Sequence, residues 1–287
     1  MFDKYSVDKN FIRLVRSADN NEQWAKEKLS KMFQKNDPNL MYKLAIARIK
    51  IYQKAAYNGD SKAQYWYGLS QQGINNDESL KFLIPLATSG NVDAMVAIAS
   101  GYGVYGGYGV NEQEEFRWLE RAAMAGDLYS QNQVALKYMI EHNYEKAYYW
   151  YECAARQGSA PGYCGMAECL EYKNLRLYRM GKPDAKQEID NINKKMEAFY
   201  NKALDYVRNR DEDEAACRGI AGYYRSRSRD TKDIGEKNKY LKRAIFYYVC
   251  SYSCGNPYGL KYAQEIEREN GFKVDYDNIR NWAQDVL

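Results

Sequence analysis

One histidine, His142, stands in a sequence of 287 residues, so chemistry that needs two imidazoles is excluded. It follows Lys137-Tyr138-Met139 and precedes the next aromatic run, a position that reads as a solvated turn. No nucleophile with a nearby base accompanies it, and no catalytic residue is assigned. The six cysteines are Cys153, Cys164, Cys169, Cys217, Cys250 and Cys254. None falls in a CxxC pair, so no metal site is expected. Met1-Phe2-Asp3-Lys4-Tyr5 puts an acid where an export signal carries a basic patch, and no run of about 18 apolar residues occurs. The thiols are therefore expected to be reduced, in a cytoplasmic chain with no membrane insertion.

Other motifs have chemical and structural readings. Gly101-Tyr102-Gly103-Val104-Tyr105-Gly106 spells GxGxxG, but a dinucleotide site needs a strand before it and a helix directly after. Here a helix precedes it, and Gly107-Tyr108-Gly109 delays the next. It reads as an extended connection closed by Asn111 as N-cap, with Glu114 three residues on. Tyr102, Tyr105 and Tyr108 are expected to form an exposed rim. Asp211-Glu212-Asp213-Glu214 offers carboxylates, yet acids at a helix start are favoured by its dipole. Arg225-Ser226-Arg227-Ser228-Arg229 ends a helix, where positive charge is stabilising in any case. With 42 basic and 38 acidic residues the net charge is only +4, and no nucleic-acid partner is expected. No cofactor is expected either. The 29 tyrosines exceed what a core needs. Tyr67, Tyr148, Tyr151, Tyr247 and Tyr248 read as core, and the surplus as contact surface, because tyrosine is rigid and amphipathic.

The elements behind these residues come from a repeat. Ala55-Ala56-Tyr57-Asn58-Gly59-Asp60, Ala122-Ala123-Met124-Ala125-Gly126-Asp127 and Ala154-Ala155-Arg156-Gln157-Gly158-Ser159 share one pattern. A looser copy reads Leu86-Ala87-Thr88-Ser89-Gly90-Asn91. Each closes an aromatic amphipathic run, and the glycine suits the left-handed turn that ends a helix. Four residues on stands a small side chain (Ala63, Ala94, Ser130, Gly162). Eight on stands a core residue (Tyr67, Ile98, Val134, Met166), and nine on is small again (Gly68, Ala99, Ala135, Ala167). These offsets lie on one helix side, and small residues there let helices approach closely. The phase extends to Asn21 with Ala25, Leu29 and Ser30, to Glu212 with Ala216, Ile220 and Ala221 but no glycine, and to Gly255 with Gly259 and Ala263, where Gln264 is larger than the pattern expects. The slots at 21, 59, 90, 126, 158, 212 and 255 are 38, 31, 36, 32, 54 and 43 residues apart.

Gly107-Tyr108-Gly109-Val110, running into Phe116-Arg117-Trp118-Leu119-Glu120-Arg121-Ala122-Ala123-Met124-Ala125-Gly126, resembles the Sel-one-like (Sel1-like) repeat family, relatives of the tetratricopeptide repeats. Gly59 to Gly68 resembles the first-helix half of that repeat. The similarity is strong over 39–170 and degenerate outside it. It implies a right-handed α-α solenoid that scaffolds protein complexes, with no shared catalytic residues.

The expected fold is therefore all-α, a solenoid of about seven helix pairs. Residues 1–170 form the regular part with an opening helix pair at 7–36, and Asn39–Tyr57 is one helix opened by Asp37-Pro38. Residues 171–287 carry longer, degenerate repeats. A polar connection is expected over Glu171–Pro183, then helices at 184–208, 213–227, 237–253 and 257–270, and a capping helix at 275–286. Offsets three, seven and ten face away from the packed side. They mark Lys62, Trp66, Tyr129, Gln133 and Leu136 as protein contacts, joined by Tyr105 and Tyr108 of the glycine-rich loop. The expected function is a non-catalytic intracellular scaffold or adaptor that holds a protein or peptide in its concave groove. The alternative is a sequestering inhibitor, such as an immunity protein or antitoxin.

Overall fold

The computed structural model describes residues 7–35, 37, 39–180, 185–209 and 214–287. Among these, every regular element is a helix. In order they are α1 (Lys9–Asp19), α2 (Gln23–Gln34), α3 (Leu40–Tyr57), α4 (Ser61–Ser70), α5 (Asn76–Thr88), α6 (Val92–Tyr102), α7 (Glu112–Met124) and α8 (Leu128–Ile140). There follow α9 (Tyr144–Arg156), α10 (Ala160–Met180), α11 (Ala185–Asn209), α12 (Glu214–Asp230), α13 (Ile234–Ser253), α14 (Gly259–Asn270) and α15 (Ile279–Trp282). The fold is an all-α solenoid in which the slots at 21, 59, 90, 126, 158 and 255 each precede the first of two successive helices (α2, α4, α6, α8, α10 and α14), with α4 packed on α5, α6 on α7, α10 on α11 and α12 on α13.

The slots explain that regularity. Asn21, Gly59, Gly90, Gly126, Gly158 and Gly255 all have positive φ, the glycines between 84° and 110°. At Gly59 the amide bonds the Ala56 carbonyl at 3.1 Å, and the Asp60 amide reaches back to Ala55 at 3.1 Å. The same pair of bonds recurs at Gly126 onto Ala123 and Ala122, and at Gly158 onto Ala155 and Ala154. This closure satisfies carbonyls that the helix end would otherwise orphan. After Gly59, Gly90, Gly126 and Gly158 the next residue then caps the following helix. Asp60 accepts from the Ala63 amide at 2.7 Å, Asn91 from Ala94 at 2.8 Å, and Asp127 from Ser130 at 2.7 Å. One tight turn thus ends one helix and starts another.

The packed offsets are sealed as the spacing predicts. Ala63, Ala94, Ser130, Tyr67, Ile98, Val134, Met166, Ala99, Ala135 and Ala167 are all buried, as are Ala216, Ile220 and Ala221. Ser30 departs from the phase and is exposed. Tyr67, Tyr151, Tyr247 and Tyr248 are core, while Tyr148 is half-buried.

The chain divides into two compact units, 1–130 and 131–287, with the division inside α8. In the first, Leu14, Val15, Leu40 and Leu44 form one core cluster and Leu83, Ile98 and Trp118 another. In the second, α12 and α13 bring Ile220, Ile245 and Tyr247 into the largest cluster. The connection expected from Glu171 is instead helix, because α10 continues to Met180 along α11. The C-terminal helix is also shorter than expected, only Ile279–Trp282. Pro38, Gly181-Lys182-Pro183 and Asp211-Glu212-Asp213, with the slot at Glu212, lie outside the described residues.

Candidate functional site

Outward positions on the first helices carry the candidate contacts, and the structure treats them differently. In the 1–130 unit, Tyr129 is 58% exposed on α8. Lys62 is exposed on α4 and its Nζ donates to Asn20 Oδ1 at 2.8 Å. Trp66, expected to need an external cover, is half-buried under its own chain. The Arg48 guanidinium of α3 lies over its ring at 4.2 Å, and Tyr52 stacks beside it at 6.5 Å. Arg48 is itself held in two parallel bonds by the buried Asp19 carboxylate, at 2.8 and 3.1 Å. Trp66 is therefore one layer of an Asp19–Arg48–Trp66 stack, a cation held between a carboxylate and an aromatic face.

Burial first, and then the Asp19 carboxylate, raises the Tyr52 phenol above its ordinary pKa. Burial, then Asp93 on the next first helix, raises that of Tyr65. Both phenols stay neutral at physiological pH; Tyr52 is buried, so this face presents the half-buried Tyr65 and Trp66 beside paired charges. In the 131–287 unit, Leu136 is 43% exposed on α8 and Gln133 is half-buried.

The glycine-rich loop is structural on one side and exposed on the other. Tyr108, expected in a rim, turns inward. Its hydroxyl lies 2.7 Å from Ser79 Oγ and accepts from Gln72 Nε2 at 3.1 Å, and its ring meets Tyr102 edge-on at 5.1 Å. A methyl on Gly106 would fall 2.2 Å from the carbonyl oxygens of Ser100 and Gly101, and one on Gly107 2.2 Å from the Gly73 amide. These glycines permit backbone to touch backbone, leaving no cradle for a phosphate. Only Tyr105 stands free, fully exposed beside Val104. Asn111 caps α7 by accepting from the Glu114 amide at 3.2 Å.

The other chemistry-bearing motifs are also absorbed by the fold. Arg225 pairs with Glu265 at 3.7 Å and Glu269 at 3.9 Å, and Arg227 lies over the Tyr240 ring at 5.9 Å. The run is thus largely committed within the chain. His142 has φ 59° and sits in a slot of the same kind as the glycines, with its Nδ1 2.8 Å from the Tyr144 hydroxyl. No group of acids, cysteines and histidine among the described residues is arranged to hold a metal ion. None of the six cysteines is in a disulfide. No helix among the described residues is long and apolar enough to cross a membrane.

Comparison with known proteins agrees with this geometry. A family model described as Sel1 repeat matches residues 49–60, 92–127 and 130–159. No curated protein matches the sequence significantly. Among solved structures, a protective antigen of uropathogenic Escherichia coli displaying an SLR fold aligns with a TM-score of 0.56 at 18% identity. That alignment covers 96% of this chain and 55% of the antigen, so the chain spans about half of that protein. A Sel1 repeat protein from Oxalobacter formigenes aligns with a TM-score of 0.54 at 19% identity, over 85% of this chain and 96% of that one.

Proposed function

We propose that the chain, a Sel1-like repeat protein, works as a non-catalytic scaffold or adaptor inside the cell, holding a protein or peptide against the outward face of its first helices. Sel1 repeats are in general protein–protein interaction modules. One observation carries the finer reading: Tyr129 stays 58% exposed on a helix whose packed offsets, Ser130 and Val134, are completely buried. The repeat has spent its small and apolar residues on stacking and still presents a rigid ring to solvent, the kind of residue that dominates interface hot spots. Leu136 and Gln133 supply the corresponding candidates in the second unit. Trp66, half-buried, contributes what remains exposed of its ring, with Arg48 fixing the ring's orientation.

Tyr129→Ala is the clean test, since Trp66→Ala would also remove the cover of Arg48. A partner captured by the native chain and identified by mass spectrometry is titrated against both forms. The variant should bind at least tenfold more weakly, about 1.4 kcal/mol, at an unchanged melting temperature. Undiminished affinity removes this face from the function.

A further inference from the structure

A second surface lies where two helices of unequal length meet. Helix α9 has 13 residues and α10 has 21. Tyr144, at the start of α9, stacks on Tyr172 of α10 with ring centres 4.4 Å apart and planes 14° apart. Beyond Tyr172, α10 runs on to Met180, roughly 12 Å of helix at 1.5 Å per residue. Tyr172, Leu175, Arg176 and Arg179 fall at i, i+3, i+4 and i+7, on one side of that overhang. They form one wall of an open cleft of about 1160 Å³, and the turn between α8 and α9 forms the other.

The cleft has an apolar strip and a charge pattern. Tyr172 and Leu175 are each 45% exposed. Lys173 is paired with Glu188 at 2.9 Å, but no carboxylate pairs with Arg176 or Arg179 among the described residues. The two residues stand three apart on α10, about one helical turn, a spacing that matches carboxylates one turn apart on a partner. The opposite wall carries Glu141 and Glu145, whose charge repels a polyphosphate backbone and confines a partner's acidic residues to the arginine wall.

We propose that this cleft docks a short amphipathic segment of a protein partner, carrying acidic residues toward Arg176 and Arg179 and an apolar side chain onto Tyr172 and Leu175. The proposal rests on the interaction-module reading but uses a different surface from Tyr129, so the two can fail separately. The occupant needs about two helical turns to cover the overhang.

The test is selection of a random peptide display library, with peptides about twelve residues long, on the immobilised full chain. The double variant Arg176→Glu/Arg179→Glu serves as counter-target, and Arg176→Gln/Arg179→Gln replaces it should charge reversal disturb folding. Enriched peptides should pair Asp or Glu with Leu, Phe or Tyr. A synthetic copy should lose at least tenfold in affinity on the variant, weaken as salt is raised, and bind Tyr129→Ala as well as the native chain. The proposal is overturned if nothing is enriched, if basic peptides are enriched, or if affinity ignores the arginines. Binding of a single-stranded oligonucleotide that disappears on the same reversal also overturns it, assigning the arginines to phosphate.

Discussion

Replacing glycine by alanine should have opposite signs at two positions of the 131–287 unit. At Gly162 an added methyl would stand 2.8 Å from the Ala155 amide nitrogen and 2.9 Å from the Tyr151 carbonyl oxygen, against 3.4 Å for ordinary contact. Both atoms are backbone of α9, so no side chain can swing aside. The helices must part by roughly half an ångström, and overpacking of this kind costs about 1–3 kcal/mol. Alanine's helix propensity recovers at most about 1 kcal/mol, leaving a net loss of about 1 kcal/mol and up to about 2 kcal/mol. At Gly222, inside α12, no atom lies within 4 Å of the added methyl. Only propensity acts there, and the variant should gain about 0.5–1 kcal/mol. Urea melts followed by far-ultraviolet circular dichroism read both changes in the same unit, as midpoint shifts of opposite direction at constant slope. Equal signs, or a Gly162→Ala midpoint within error of the native one, would refute the close approach of α9 and α10.

Two further outcomes follow from the loop and the thiols. Tyr108→Phe should cost about 1–2 kcal/mol, because it strips the hydroxyl that meets Ser79 and Gln72, whereas Tyr105→Phe should stay within about 0.5 kcal/mol; thermal melts compare them. Half-buried Cys153 and Cys254 should react first with a thiol probe at pH 8, while buried Cys169 resists because burial pushes its pKa up to about 12 and leaves it a thiol rather than a thiolate. All six should react once the protein is unfolded without reductant, and fewer than six would expose a disulfide or bound metal.

The repeat was legible because glycine announces itself. Five slots are glycines at φ from 84° to 110°, a region that side chains other than glycine rarely enter. Asn21, at φ 67°, was found by phase alone, since asparagine tolerates a left-handed turn. His142 takes the same conformation at φ 59°, in the turn its position predicts, although a bulky residue there breaks the composition of the repeat slot. The sequence signal for that slot is the neighbouring residue. Asn143 accepts from the Lys146 amide at 3.3 Å, as Asp60, Asn91, Asp127 and Ser159 accept from the third residue on, so the cap betrays the turn even where glycine is absent.

The candidate contacts were harder, for a reason that Trp66 makes plain. Periodicity within α4 says only which side of α4 a residue occupies. Whether that side meets water depends on α3, whose Arg48 bridges Asp19 and the indole. A long cationic side chain covers a neighbour's apolar surface without leaving any apolar mark in its own helix. The same limit hid the α10 overhang: its polar residues resembled a linker, yet Asn174 donates to Asn193 of α11 at 2.7 Å and ties the two helices. Asn174, a polar residue buried between two helices, thus extends the fold, while the exposed Arg176 and Arg179 carry the proposed docking surface. Distinguishing the two requires knowing which helix lies alongside, information that a single helix's pattern does not contain.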